Sequence, residues 1–467
     1  MIRQLKVAVT TAMPGRGSNP HLALWVAAAC LSHGEIARRI AAEAKARGHR
    51  QIAPDATRLR RWMDGERPRP PVPALLAAVL SEAVGQVLTP GDLGLTEAGA
   101  VLDTIALPLL TEAAAQTLVG WTQMDLFMDR RDTLKLALGA PLVLAAERML
   151  GGTAHALSPA TKGFDTGTTA ALEEVTRFFT KADAAKGGGL YRSAIVAQLG
   201  ETARRIQDGV PPSLKTRIFS AAADLAALAG WVSHDSGHYS TAQRYWSYGI
   251  YAAGESGQRD RGVEIVTRMS HQMIYLGHPG DALGLLGVAE TKAGMPATRA
   301  LVASQTGRVH AALGDERNAE RQLGTADELL ADGLGDVPGW VAYFDAAEHA
   351  GAHAVSARDL AATKRPRRPA STHFTQALAL RKRGFERVRV MDRLGLAAAL
   401  FDEGHVEQGA VAAQQALDEA ARLDSTLVAS RLNTLLAAAR PYRTAAVEDV
   451  RARTRDLAAA RPTTIAA

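Results

Sequence analysis

Apolar residues recur three and four positions apart along most of this chain, and strict alternation is found nowhere. The pattern therefore predicts helices joined by turns and no sheet. A first helix is expected from near His21 to Leu31. Ser32 with Glu35 three residues later makes a capping box for a second, which carries Ile36 and Ile40 on one face and stops at Gly48. Asp55 caps a third helix, Ala56 to Met63, and Asp64-Gly65 turns the chain after it. Pro68, Pro70, Pro71 and Pro73 delay a fourth helix, which runs from Ala74 to about Val84. Residues 1–20, with Pro14, Gly15, Gly17 and Pro20, read as a loose tail.

Further along, one spacing repeats. Gly237 is followed by Ala242, Trp246 and Gly249, and Gly277 by Ala282, Leu286 and Ala289. Gly314 is followed by Ala319, Leu323 and Ala326, and Gly404 by Gly409, Ala413 and Ala416. The offsets of 5, 9 and 12 place a small side chain where two helices cross, a plug, then a second small contact. That is the second half of a tetratricopeptide-like hairpin, and Gly230 and Gly307 supply the small residue of its first helix. A degenerate further turn falls at Gly351.

The predicted fold is all-α: an N-terminal helix-turn-helix domain followed by a tetratricopeptide-like, right-handed helical repeat array. The expected divisions are a tail over 1–20, the helix-turn-helix domain over 21–95 and a connector and linker over 96–168. The array follows over 169–440, and a C-terminal helix or tail over 441–467.

Composition sharpens this reading. The chain is 47% hydrophobic and only 5% aromatic, with alanine dominant, which favours closely packed helices. The single cysteine, Cys30, excludes an intrachain disulfide and sits in an apolar run that suits a core thiol. No apolar stretch is long enough to span a bilayer, so a soluble, cytoplasmic protein with no membrane partner is expected. Arg130-Arg131 before an apolar run imitates a twin-arginine signal but lies well inside the chain, and reads as an amphipathic helix. Residues 1–95 hold 13 basic and 7 acidic side chains, while the remainder is neutral, so the whole excess of +6 belongs to the first fifth. A basic small domain on a neutral body suits a polyanionic partner.

That charge has a specific place. On the third helix Ala56, Leu59, Trp62 and Met63 share one face, and Thr57, Arg58, Arg60, Arg61 and Asp64 share the other. The basic face has what a recognition helix needs in the major groove of double-stranded DNA. Arginine can reach guanine O6 and N7 in pairs, and further Arg and Thr side chains can hold phosphates. Arg67 and Arg69, in the proline-stiffened loop beyond, are placed for backbone phosphates. Ser32-x-x-Glu35-Ile36-Ala37, with the segment Arg58-Leu-Arg-Arg-Trp-Met-Asp-Gly-Glu-Arg-Pro-Arg-Pro70, resembles the Xre/Cro-type DNA-binding domain. It is similar in particular to that domain in the large Nsd-type regulators of actinomycete differentiation and antibiotic production. There the basic domain precedes a long helical-repeat region. The resemblance implies a repressor-like transcriptional regulator acting on promoter DNA, expected to bind as a homodimer. The connection from Gly48 to the third helix is longer than the three- to four-residue turn of a strict helix-turn-helix.

Six of the 23 aromatic residues fall between Trp231 and Tyr251. Tyr239, Tyr245, Tyr248 and Tyr251 are the candidate groove for a peptide, small-molecule or protein effector, with internal packing and a dimer contact as alternatives. Enzymatic activity is not expected. Lys186-Gly-Gly-Gly189 lacks the ending of a phosphate loop, and no His-Glu-x-x-His or Gly-x-Ser-x-Gly occurs. His234 and His238 are separated by a turn, so no metal or cofactor is expected. The rival reading is a protein-interaction scaffold that does not touch DNA and sequesters a regulatory partner through the array.

Overall fold

The structure is a computed structural model. It describes residues 19–95 (except 30, 47, 48, 50, 67, 70, 85–92 and 94), 111–127, 142, 146, 150, and 164–460 except 362–368 and 424. Cys30, Gly48, Arg67, Arg130-Arg131, most of the connector and linker, and residues 362–368 lie outside the described residues. Among the described residues every regular element is helical, and no helix is long and apolar enough to cross a membrane. The chain divides into two compact units, residues 1–103 and 104–465.

The first unit contains α1 (Pro20–Ala28), α2 (His33–Ala46), α3 (Ala56–Met63) and α4 (Val72–Val84). Three of these starts have a side-chain cap. The Asn19 side chain accepts from Leu22 N at 3.0 Å, Ser32 Oγ from Glu35 N at 3.2 Å and Asp55 Oδ1 from Arg58 N at 2.7 Å. Glu35 turns its carboxylate to Arg38 and Arg39 on its own helix. Leu22, Ile36, Ile40, Leu59, Leu76 and Leu80 are fully buried and form the core with Trp25 and Trp62. Asn19 ties the unit's ends together: its N–H donates to Met63 O at 2.7 Å and its Nδ2 to Leu93 O at 2.8 Å.

The second unit is a stack of helical hairpins. Its helices are α5 (Thr111–Phe127), α6 (Thr166–Lys186), α7 (Arg192–Gln207), α8 (Lys215–Asp235), α9 (Tyr239–Glu255), α10 (Arg259–Tyr275) and α11 (Pro279–Lys292). They continue as α12 (Pro296–Ala312), α13 (Glu316–Asp332), α14 (Ala346–Ala361), α15 (Ala370–Leu380), α16 (Glu386–Asp402), α17 (Val406–Ala420), α18 (Thr426–Ala439) and α19 (Ala445–Ala460). The closest pairs are α8/α9, α10/α11, α12/α13, α14/α15 and α16/α17.

The four turn glycines read from the sequence close four of these hairpins in one geometry. Gly237, Gly277, Gly314 and Gly404 have φ of 83°, 79°, 76° and 85°, the left-handed region. At Gly237 the glycine N–H donates to His234 O and the next N–H reaches back to Ser233 O at 2.8 Å. The other three turns repeat both bonds, which satisfies carbonyls the helix end would otherwise leave bare. The small and large offsets then pack as the spacing requires. Ala242, Trp246, Ala282, Ala289, Ala319, Ala326, Ala413 and Ala416 are fully buried. A Cβ on Gly230 would stand 2.4 Å from the Trp246 ring, and one on Gly307 2.7 Å from Leu323 Cγ. In these two hairpins the plug of the second helix therefore sits on the glycine of the first.

Gly351 departs from expectation. It lies inside α14, not in a turn, because alanines on both sides sustain the helix. The missing side chain leaves room for Arg381 and Asp392, 3.5 and 3.4 Å from where a Cβ would be. The array also runs beyond the expected limits. α5, from the presumed connector, packs on α7 and α9, and α19, from the presumed tail, packs on α17 and α18.

The array closes on itself: α16 packs against α6, 200 residues earlier. Arg387 at the start of α16 reaches Asp183 of α6 at 2.9 Å and Asp235 of α8 at 3.2 Å, all three buried. Asp235 also accepts from Ser425 Oγ at 2.6 Å and from Leu427 N at 3.3 Å, while its carbonyl accepts from Thr426 Oγ1 at 2.5 Å. One carboxylate thus pins the start of α18 to the end of α8.

Candidate functional site

In the first unit, α3 presents the expected two faces. Leu59 and Trp62 are buried, whereas Thr57, Arg58, Arg60 and Arg61 are exposed, as is Arg69 beyond the turn. Arg58 has a distant carboxylate partner, Glu66 at 3.8 Å, with both side chains largely in solvent. On α2, Arg38 is 80% exposed and bound to Glu35. A short basic surface on a capped helix, with its apolar side locked into a core, can meet phosphates and base edges without rearranging. The connection between α2 and α3 spans residues 47–55, longer than a strict helix-turn-helix turn.

The expected tyrosine groove is corrected. Tyr245 and Tyr248 are fully buried and Tyr251 is 7% exposed, all within the core formed with α5, α7 and α8. Tyr245 OH donates to Asp125 of α5 at 2.6 Å, and Asp125 also pairs with Arg192 at 2.6 Å. The face that looked free on α9 alone is covered by α5. Tyr239 is half-buried and edges onto His234 and Tyr275.

The concave surface lies elsewhere, on the first helix of each hairpin. A cavity of about 1180 Å³ is bounded by α6, α8, α10, α12, the loop before α14 and the start of α16. Successive hairpins place Trp231, Arg268 and Gln305 along it, and next to them His271 and Arg308. Aromatic rings and guanidinium groups interleave. Arg268 and Arg387 lie over Trp231 at 5.5 and 5.4 Å, Arg268 also over Tyr343 at 5.1 Å, and Arg261 over Trp340 at 5.5 Å. Beneath them, fully buried Glu264 accepts from Arg261, Arg268 and the Tyr343 hydroxyl. Eight cationic side chains line the cavity against four carboxylates.

Most of these arginines have a carboxylate partner, but Arg308 does not share that arrangement. Its Nη1 reaches Gln305 Oε1 at 3.2 Å and His271 Nδ1 at 3.4 Å. Arg308 Nε and Gln305 Nε2 are buried with no hydrogen-bond partner among the described residues. Burial lowers the Arg308 pKa, and the pull of Glu348, Asp359 and Asp392 does not restore it. Burial likewise lowers that of Arg431, which Arg308 repels further. The floor of the cavity is therefore cationic, short of acceptors and flanked by an aromatic wall. An anion with an apolar portion complements it.

Residues 22–96 match the profile of a family described as the SP15 N-terminal domain. This stretch begins in α1 and ends just beyond Leu95, so it covers the first unit's helices and none of the array. No curated protein matches the chain.

Sequence reasoning missed the cavity because its wall comes from residues 37 apart, Trp231, Arg268 and Gln305, whose common face depends on how hairpins stack. The available signal was the spacing of 37 itself, which also sets His234, His271 and Arg308 at one first-helix position.

Proposed function

We propose that this chain is a DNA-binding transcriptional regulator whose repeat array holds an anionic effector in its concave cavity. The observation that carries the reading is the exposed Thr57, Arg58, Arg60 and Arg61 face of α3 over buried Leu59 and Trp62. The net positive charge of the chain, +6, falling in residues 1–95 supports it. On this reading Arg60 and Arg61 read base edges in the major groove, and Arg58 and Arg69 hold phosphates. The resemblance to Nsd-type regulators favours a repressor-like role in development or secondary metabolism, exerted as a homodimer. The effector is a carboxylate- or phosphate-bearing peptide, small molecule or protein segment, matched to Arg308, Gln305 and the Trp231 wall.

A second reading keeps the array and gives up DNA: a scaffold that captures a regulatory partner. The size of the cavity, about 1180 Å³, favours it, because that space accepts several side chains of a bound segment. Selection from a library of genomic fragments by the full-length chain, at two salt concentrations, separates the two. The regulator reading expects a few promoter fragments to be enriched over random DNA, with retention falling steeply as salt rises. Retention of all fragments alike, or of none, would leave the scaffold as the function.

A further inference from the structure

We propose that Asp327, His349 and His353 form a binding site for a divalent transition-metal ion, Zn²⁺ by the chemistry of its donors. His349 and His353 stand four residues apart in α14 and therefore share one face of that helix. Asp327, in the neighbouring α13, faces them. His349 Nε2 lies 3.0 Å from Asp327 Oδ1, and His353 Nε2 lies 3.3 and 3.2 Å from the two carboxylate oxygens. The three donor atoms all lie within 4.8 Å of one another. A tetrahedral centre with metal–ligand bonds of about 2.0 Å has edges of about 3.3 Å. The two histidine–aspartate edges already have about that length, and the histidine–histidine edge is within 4.8 Å.

The surroundings fit a ligand set as well as the donors do. His349 Nδ1 is 2.8 Å from Ser304 Oγ on α12. With a metal on Nε2, Nδ1 keeps its proton and donates it to that hydroxyl, which fixes the ring. The His353 ring is stacked on that of His373 in α15, 5.4 Å apart and 11° from parallel. Exposure is graded across the site: His349 is 3% exposed, the His353 side chain 25% and that of Asp327 55%. One side is closed by protein and the other opens to solvent, which gives an entry path and a fourth position for water. The ion would join the hairpin α12/α13 to the hairpin α14/α15. Ser304 also lines the cavity, so occupancy of the site bears on the cavity wall.

The test is a titration of the metal-stripped full-length chain with Zn²⁺ against a chromophoric chelator. One equivalent is expected to bind. Asp327→Asn and His353→Asn are each expected to weaken binding at least about tenfold, and Ser304→Ala by about 10- to 100-fold. Both ligand variants change partly exposed side chains, and circular dichroism of the metal-free proteins checks that their helix content is that of the wild type. Co²⁺ in place of Zn²⁺ is expected to give the visible absorption of a four-coordinate centre. The proposal is overturned if the wild-type chain binds no stoichiometric Zn²⁺. It is equally overturned if folded Asp327→Asn and His353→Asn proteins bind as the wild type does.

Discussion

Arg387→Ala is expected to destabilise the array by about 3–5 kcal/mol, the cost of leaving a buried ion pair half removed. Arg387 is 6% exposed and holds Asp183 at 2.9 Å and Asp235 at 3.2 Å, and its guanidinium covers Trp231. Without it the Asp183 and Asp235 carboxylates, from α6 and α8, stay buried with no cation between them. Burial already pushes the Asp183 carboxyl up, with the charge of Arg387 pulling it back. In the variant that pull is gone, so the Asp183 carboxyl is pushed up further and holds a proton more readily in the fold than in the unfolded chain. Urea unfolding at pH 7.5 measures the loss. Adding Asp183→Asn to Arg387→Ala is expected to recover part of it, because one uncompensated charge is then absent. A loss below about 1 kcal/mol would mean that the closure of α16 on α6 carries little stability.

Stability is also expected to fall as the pH is lowered from 7 towards 5. His234 is fully buried, and burial, followed by the nearby charge of Arg387, pushes its pKa down to about 3. Burial and then the charge of Arg308 push His271 well below its usual value. Both rings are neutral in the fold and take protons only on unfolding. Their contribution is complete above about pH 6.5 and is lost as pH falls from there towards the folded values. Each proton contributes about 1.4 kcal/mol per pH unit, so the two together give up to about 3 kcal/mol per unit. Asp183, Asp224 and Asp359, raised by burial, act in the opposite sense and soften the fall as they protonate. His234→Phe isolates one term. Both ring nitrogens of His234 lie without a hydrogen-bond partner among the described residues, and its neighbours are the rings of Trp231, Trp246 and Tyr275. The variant is expected to keep its stability at pH 7 and lose about half of the slope. Equal denaturation midpoints for the wild type at pH 7 and pH 5 would contradict this.

The legible parts of the fold were those set by short-range physics. Gly237, Gly277, Gly314 and Gly404 could be read as turns because a left-handed residue after a helix is nearly a glycine requirement, and the packing offsets follow from helix geometry alone. The two faces of α3 were legible for the same reason: eight residues and one cap decide them. What escaped depends on distant partners. Tyr245 and Tyr248 looked like an exposed stripe because the helix that covers them, α5, lies about 120 residues earlier and carries no repeat signal. The concave cavity needed the stacking of hairpins to bring Trp231, Arg268 and Arg387 together. The histidine pair was hidden by a single error. A turn at Gly351 would have separated His349 from His353, whereas a continuous α14 puts them on one face.

Fluorescence anisotropy of the full-length chain on its own best-enriched promoter fragment, beside Arg60→Ala/Arg61→Ala, is the decisive measurement. Both arginines are exposed, so the double variant keeps the core of Leu59 and Trp62 and folds as the wild type does. Each base-reading arginine contributes about 1–3 kcal/mol of discrimination, so the variant is expected to bind that fragment at least about thirty-fold more weakly. Its preference over random DNA should vanish with it. If the double variant binds the fragment as tightly and as selectively as the wild type, α3 is not the reading helix, and the proposed regulator mechanism is wrong.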